Sequence, residues 1–164
     1  MSKQHKLLTI VSGGQTGADR AGLDWALAHG VHCSGWCPNG RLAEDGPIDR
    51  KYPLKETPSE SYWERTEWNV RDSDATVIFS MAPELSGGSK ETLALAHQHD
   101  KPCLHLHSGL PDAAERLRLF LEKNNIKVLN VAGPRASHEA AVGRFVERLL
   151  DEVLGHCAVD NTAP

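Results

Sequence analysis

Short apolar runs alternate with stretches of helical period along the whole chain. LLTIV at 7–11, ATVIF at 75–79, CLHLH at 103–107 and VLNV at 128–131 have the length of buried strands, and a further extended piece covers 31–36. Residues 16–29 carry Ala18, Gly22, Trp25 and Ala26 on one stripe with Leu23 and Leu27 beside it, and Gly30 follows as a C-cap. Helices are also predicted over 62–71, 90–99 and 112–123. The strongest pattern is the last one. There Val142, Phe145, Val146, Leu149, Leu150, Val153 and Leu154 recur at alternating spacings of three and one, with Ser137 placed to cap the start.

Strand followed by helix, repeated throughout, predicts an α/β fold: a three-layer sandwich with a mostly parallel sheet of about five strands and helices on both faces. One domain is expected over 1–155, with 156–164 a small polar tail that frays. The segment 37–61 breaks the pattern. Its 25 residues hold four prolines and three charged clusters. A connection of that length inside a compact domain is usually a lid or a binding loop.

Three glycine loops each follow one of the apolar runs: SGGQTG at 12–17, SGGS at 86–89 and AGPR at 132–135. In a parallel sheet all three lie outside the carboxyl ends of the strands, where such sheets bind ligands. Free backbone N–H groups and helix dipoles favour an anion there. The candidate ligand-binding residues of the first loop are Ser12, Gly13, Gly14, Gln15, Thr16 and Gly17, with Arg20 in the turn that follows. The second loop offers Ser86, Gly87, Gly88, Ser89 and Thr92, and the third Gly133 and Arg135, whose guanidinium suits a phosphate. Arg41 from the long segment and Arg65 from the helix at 62–71 complete the set. The loop spacing fits neither a Walker A motif nor GxGxxG, and each loop alone also reads as a tight turn.

Composition narrows the partners. A net charge of −4 gives no footprint for nucleic acid or an anionic membrane, and no apolar run reaches membrane-spanning length. The partner expected is therefore a phosphorylated small molecule, and assembly with copies of itself is left open. The N-terminus has no secretion-signal pattern, and the four cysteines include no CxxC pair, so a cytoplasmic protein with free thiols is expected. The nine histidines show no metal-ligand spacing, so no protein-bound metal site is expected; only His107, ending its strand on the ligand edge, is of interest.

SGGQTGADRAGLDWA, GWCPNGRLAEDGPI, YPLKET, RTEWNVRDSDATVIF, SGGSKET and LNVAGPR together resemble the molybdenum-cofactor carrier family, a branch of the SLOG superfamily grouped with circularly permuted YpsA-like proteins. The resemblance covers residues 9–150. It implies a Rossmann-like sheet, a site for a nucleotide or nucleotide-like ligand, and the molybdenum cofactor, a pterin phosphate, as cargo. Lonely-guy relatives in the same superfamily are N-glycosidic hydrolases of nucleotide monophosphates with a PGGxGTxxE motif. Here SGGSKETLAL puts Lys90 for the glycine, Glu91 for the threonine and Ala94 for the glutamate. A hydrolase would then need its acid from Glu44 or Asp45 in the long segment, with a raised pKa in a closed pocket. A binding or carrier protein is the first reading, a hydrolase the second and a nucleotide-sensing module the third.

Overall fold

The computed structural model describes residues 8–159, with side chains up to residue 155. Five strands form one parallel sheet: β1 (Thr9–Val11), β2 (His32–Ser34), β5 (Ala75–Ser80), β6 (Cys103–His107) and β7 (Val128–Ala132), in the order β2-β1-β7-β5-β6. Every pairing in it is parallel. Position in the sheet explains composition. β5 lies between β7 and β6 and is buried along all six residues, whereas the edge strand β6 is only half-buried and tolerates histidines.

Helix α1 (Ala18–Ala28) packs on α5 (Val142–Val159), which also carries α4 (Ala113–Lys123). On the other face α2 (Tyr62–Arg71) packs on α3 (Gly87–Gln98). The apolar stripe of α5 is the largest single part of the core: Val142, Val146 and Leu150 have no exposed surface, and Phe145 meets Phe79 of β5 edge to face. This is the three-layer α/β arrangement that the alternation of elements predicts.

Several boundaries differ from the pattern. Leu7 lies outside the described residues, and the first strand starts at Thr9. Helix α1 starts at Ala18, leaving Thr16 in the loop, and α3 starts at Gly87, so the second glycine loop is the helix's first turn. Ser137 does not cap α5, which begins five residues later; its hydroxyl donates instead to Glu44 Oε2 at 2.6 Å. Helix α5 continues past Gly155 to Val159, so the expected tail is helical over 156–159, and 160–164 lie outside the described residues.

The segment 37–61 is built into the fold. Trp36–Cys37 (β3) and Lys55–Glu56 (β4) pair as a second, two-stranded parallel sheet. Ile48 and Tyr52 are buried between them in sequence. Cys33, Cys37 and Cys103 are free thiols, and the side chain of Cys157 lies outside the described residues. Among the described residues no helix is long and apolar enough to cross a membrane.

Candidate functional site

The strand order places the loops. β7 lies between β1 and β5, so the three glycine loops leave adjacent strands on one edge of the sheet. They border a single cleft of about 340 Å³, within the range of small-molecule sites. Loop one contributes Gly13 and Gln15, loop two Ser86, Gly88 and Ser89, and loop three Gly133 and Arg135. The fourth wall is α2, with Tyr62, Arg65, Thr66 and Asn69. It starts at Ser61, whose hydroxyl accepts the N–H of Trp63 as an N-cap.

Loop one is shaped by short polar contacts. The Ser12 hydroxyl donates to the Asp19 carbonyl at 2.9 Å. Gly13 has no room for a side chain: a Cβ there would stand 2.5 Å from Arg65 Nη1, which donates to the Gly13 carbonyl at 2.7 Å. The same Arg65 nitrogen stands 3.9 Å from Asp19 Oδ2, and both residues are more than nine-tenths buried. Burial dominates the Asp19 carboxyl and raises it from 3.8 to about 6, against the opposing pull of Arg65. Arg65 is lowered by the same burial and stays charged, because an arginine starts so far above neutrality.

The third loop presents Arg135. Its guanidinium lies over the Tyr62 ring, 5.8 Å from the centroid, and Arg65 approaches the same ring at 5.0 Å. Among the described residues the Arg135 guanidinium makes no hydrogen bond or ion pair, while its backbone carbonyl accepts the N–H groups of His138 and Glu139. Arg135 is therefore a charge available to a ligand. Besides Asp19 at loop one, the acidic residues of the cleft are Glu84, Glu91 and Glu139, toward loop two. The Glu139 carboxylate accepts the backbone N–H groups of Met81 and Ala82 at 2.9 Å each.

The long segment does something other than cover the cleft, since none of its residues lines it. It folds against the back of loop one, with Leu54 and Ile48 beside Gly14. Glu44 accepts from the hydroxyls of Thr16 and Ser137 and from the Ser137 N–H, and so ties loop one to loop three. These bonds hold its pKa below the usual carboxylate range. Asp45 is paired with Arg20, which lowers it too. The raised pKa expected of an acid at Glu44 or Asp45 is thus reversed, because both meet donors rather than an apolar pocket.

Other expected residues are placed as follows. Arg20 also donates to the Gly14 carbonyl, and neither it nor Arg41, Ser12, Gly14, Thr16, Gly17 or Gly87 lines the cleft. Thr92 lines it, with its hydroxyl donating back to the Gly88 carbonyl. Arg41 donates to four carbonyls of its own segment: Ile48, Leu54, Asp49 and Tyr52. It fastens the segment rather than facing a ligand. Arg41→Ala is expected to cost about 2 kcal/mol of stability and to open 37–61 to limited proteolysis well before the rest of the chain. His107 is turned to the Gly109 N–H, and His138 lines the cleft instead.

Sequence reasoning passed over Asp19, Asn69, Asn130 and Tyr62 in the cleft. Asp19 was readable as a carboxylate beside the glycine loop. Asn130 was readable as the one polar residue in the apolar run VLNV; its amide donates to the Thr76 hydroxyl at 3.2 Å.

A model of the circularly permutated YpsA SLOG family matches residues 10–154. The crystal structure of a protein described as a "putative molybdenum carrier protein", from Syntrophus aciditrophicus SB, is 44% identical over 91% of this chain and 96% of that one, with a TM-score of 0.88. No curated protein matches the chain.

Proposed function

The chain belongs to the circularly permutated YpsA SLOG family, and from that premise we propose that it binds a phosphorylated nucleotide-like or pterin ligand in the cleft and carries it unchanged. The observation that carries this reading is the convergence of three glycine loops on one cleft, with an arginine at its wall whose guanidinium is unpaired among the described residues. The loops offer backbone donors and Arg135 offers charge. The carrier name of the similar bacterial protein supports the molybdenum cofactor as cargo. Glu44 and Asp45, the acids that hydrolysis was expected to use, are held by Thr16, Ser137 and Arg20 outside the cleft.

One observation favours hydrolysis of an N-glycosidic bond as a second reading. Asp19 lines the cleft, and its pKa of about 6 suits a general acid near neutrality. A panel of nucleoside monophosphates separates the two. Calorimetry is expected to show binding, and chromatography of the incubated mixtures no free base. Release of base that disappears in Asp19→Asn installs the second reading in place of the first.

A further inference from the structure

The cleft contains a polar side chain whose hydrogen bonding is incomplete. Gln15 is only 5% exposed. Its Oε1 accepts two backbone N–H groups, from Thr16 at 3.0 Å and from Glu44 at 2.9 Å. Its Nε2 is buried with no partner. Leaving a buried amide nitrogen unpaired is destabilising, so its presence at a cleft wall calls for an explanation. The amide is not free to flip. Turning it over would place the NH₂ group against two backbone donors and lose both bonds. The residue therefore has a donor and no acceptor left unpaired beside the cleft, and the clamp on its oxygen comes partly from the long segment, through the Glu44 N–H.

The same end of the cleft holds the free charge. Loop three meets loop one directly: the Ala136 N–H donates to the Thr16 hydroxyl at 3.1 Å, and the Ala18 N–H to the Pro134 carbonyl at 3.2 Å. Arg135 lies between these two contacts in sequence. Loop two follows β5, two strands away from β1, so its end of the cleft is roughly 10 Å off at strand spacing. That end carries Glu84, Glu91 and Glu139. One end of the cleft thus brings Gln15 and Arg135 together beside Arg65 and the Asp19 carboxyl that Arg65 faces, and three further acids stand toward the other.

We infer that Gln15 and Arg135 form the oxyanion subsite of the cleft, with the phosphate held there by the Gln15 amide nitrogen and the Arg135 guanidinium rather than at the N-terminus of α3. The inference rests on the proposed binding of a phosphorylated ligand and gives that ligand a direction. Its oxyanion sits by loops one and three, and its hydroxyl- or amine-bearing end faces the acids of loop two. The Ser86–Ser89 turn then recognises the neutral end of the molecule.

Gln15→Glu is the informative substitution. A glutamate keeps one oxygen for the Thr16 and Glu44 N–H groups and replaces the inward donor by an acceptor. Inorganic phosphate and AMP are the probes, titrated by calorimetry against wild type, Gln15→Glu, Gln15→Met, Arg135→Ala and Ser89→Ala. Loss of one charge-assisted hydrogen bond corresponds to roughly 10–100-fold in affinity. Both Gln15 variants and Arg135→Ala are expected to lose at least that much for both probes. Ser89→Ala is expected to lose less affinity for phosphate than Gln15→Glu, Gln15→Met or Arg135→Ala. Gln15→Met separates loss of the donor from added negative charge, and circular dichroism confirms that each variant is folded. Wild-type affinity in the Gln15 variants, or a larger loss in Ser89→Ala, overturns the subsite while leaving ligand binding intact. A wild type that binds neither probe overturns the subsite together with the functional reading.

Discussion

Gly17→Ala is expected to cost more than ~4 kcal/mol of folding stability, at the far end of single-residue effects. Gly17 has φ of 82°, where an L-residue is strained by about 1–2 kcal/mol. Space is the larger obstacle. A Cβ at this position would stand 2.4 Å from the Pro134 carbonyl oxygen and 2.8 Å from the Ala136 nitrogen. Both are backbone atoms and have no rotamer to escape into. Loop three would have to move away from loop one, breaking the bond from the Ala18 N–H to Pro134 and the bond from the Ala136 N–H to Thr16. Denaturant unfolding of the variant measures the loss. By contrast Gly88, where a Cβ meets nothing within 4 Å, is expected to accept alanine with a change below ~1 kcal/mol. Equal tolerance at the two positions would show that loops one and three do not meet as described.

Arg65→Met is expected to destabilise the protein by about 3–5 kcal/mol at mildly alkaline pH, because it strands the buried Asp19 carboxylate. The effect has a predictable pH dependence. The folded-state pKa of Asp19, about 6, lies above its ordinary 3.8. The folded protein therefore holds this proton more tightly than the unfolded chain does. Its contribution to stability is full below 3.8 and is lost as pH rises through 6. Removing Arg65 removes the main force lowering that pKa, so the loss continues to higher pH in the variant than in wild type. Near pH 5 the carboxyl is largely neutral in both folded proteins, and the difference between them should shrink to the lost bond to Gly13, about 1–2 kcal/mol. Denaturation curves across the pH range test this. A pH-independent difference would mean that the pair is not coupled. Asp19→Asn in the Arg65→Met background should abolish the pH dependence and recover part of the stability.

Both predictions turn on residues whose importance lies in what folding brings beside them. Gly17 is an ordinary turn glycine in SGGQTG until loop three arrives, 117 residues later, to press on it. Arg65 reads from the sequence as a candidate ligand-binding arginine on a short helix, with no sign of its burial. Burial follows from α2 packing over the end of β1, where the Gly13 carbonyl requires a donor and Asp19 a counter-charge. The long segment illustrates the same point. Its length and prolines marked it as something other than a linker, but not its direction. Ile48, Tyr52 and Leu54 anchor it behind loop one, so the acids it carries reach Thr16, Ser137 and Arg20 and not the cleft.

The sequence by itself determined the layers, the parallel sheet and the edge on which the glycine loops meet. These follow from local periodicity: apolar runs bury as strands, amphipathic stretches cover them, and right-handed crossovers bring successive loops to one side. Tertiary structure alone decided which polar groups are spent and which are free. Arg41 and Arg135 are both arginines near glycine, yet one is consumed by four carbonyls of its own segment, while the guanidinium of the other lies over the Tyr62 ring with no hydrogen bond among the described residues. Glu44 and Asp19 are both acids near the same loop, yet one meets hydroxyls and falls in pKa while the other is buried and rises. The physical reason is range. Helix and strand formation depend on neighbours within a few positions, whereas desolvation, charge pairing and hydrogen-bond satisfaction depend on groups that only the completed fold brings within 3–4 Å.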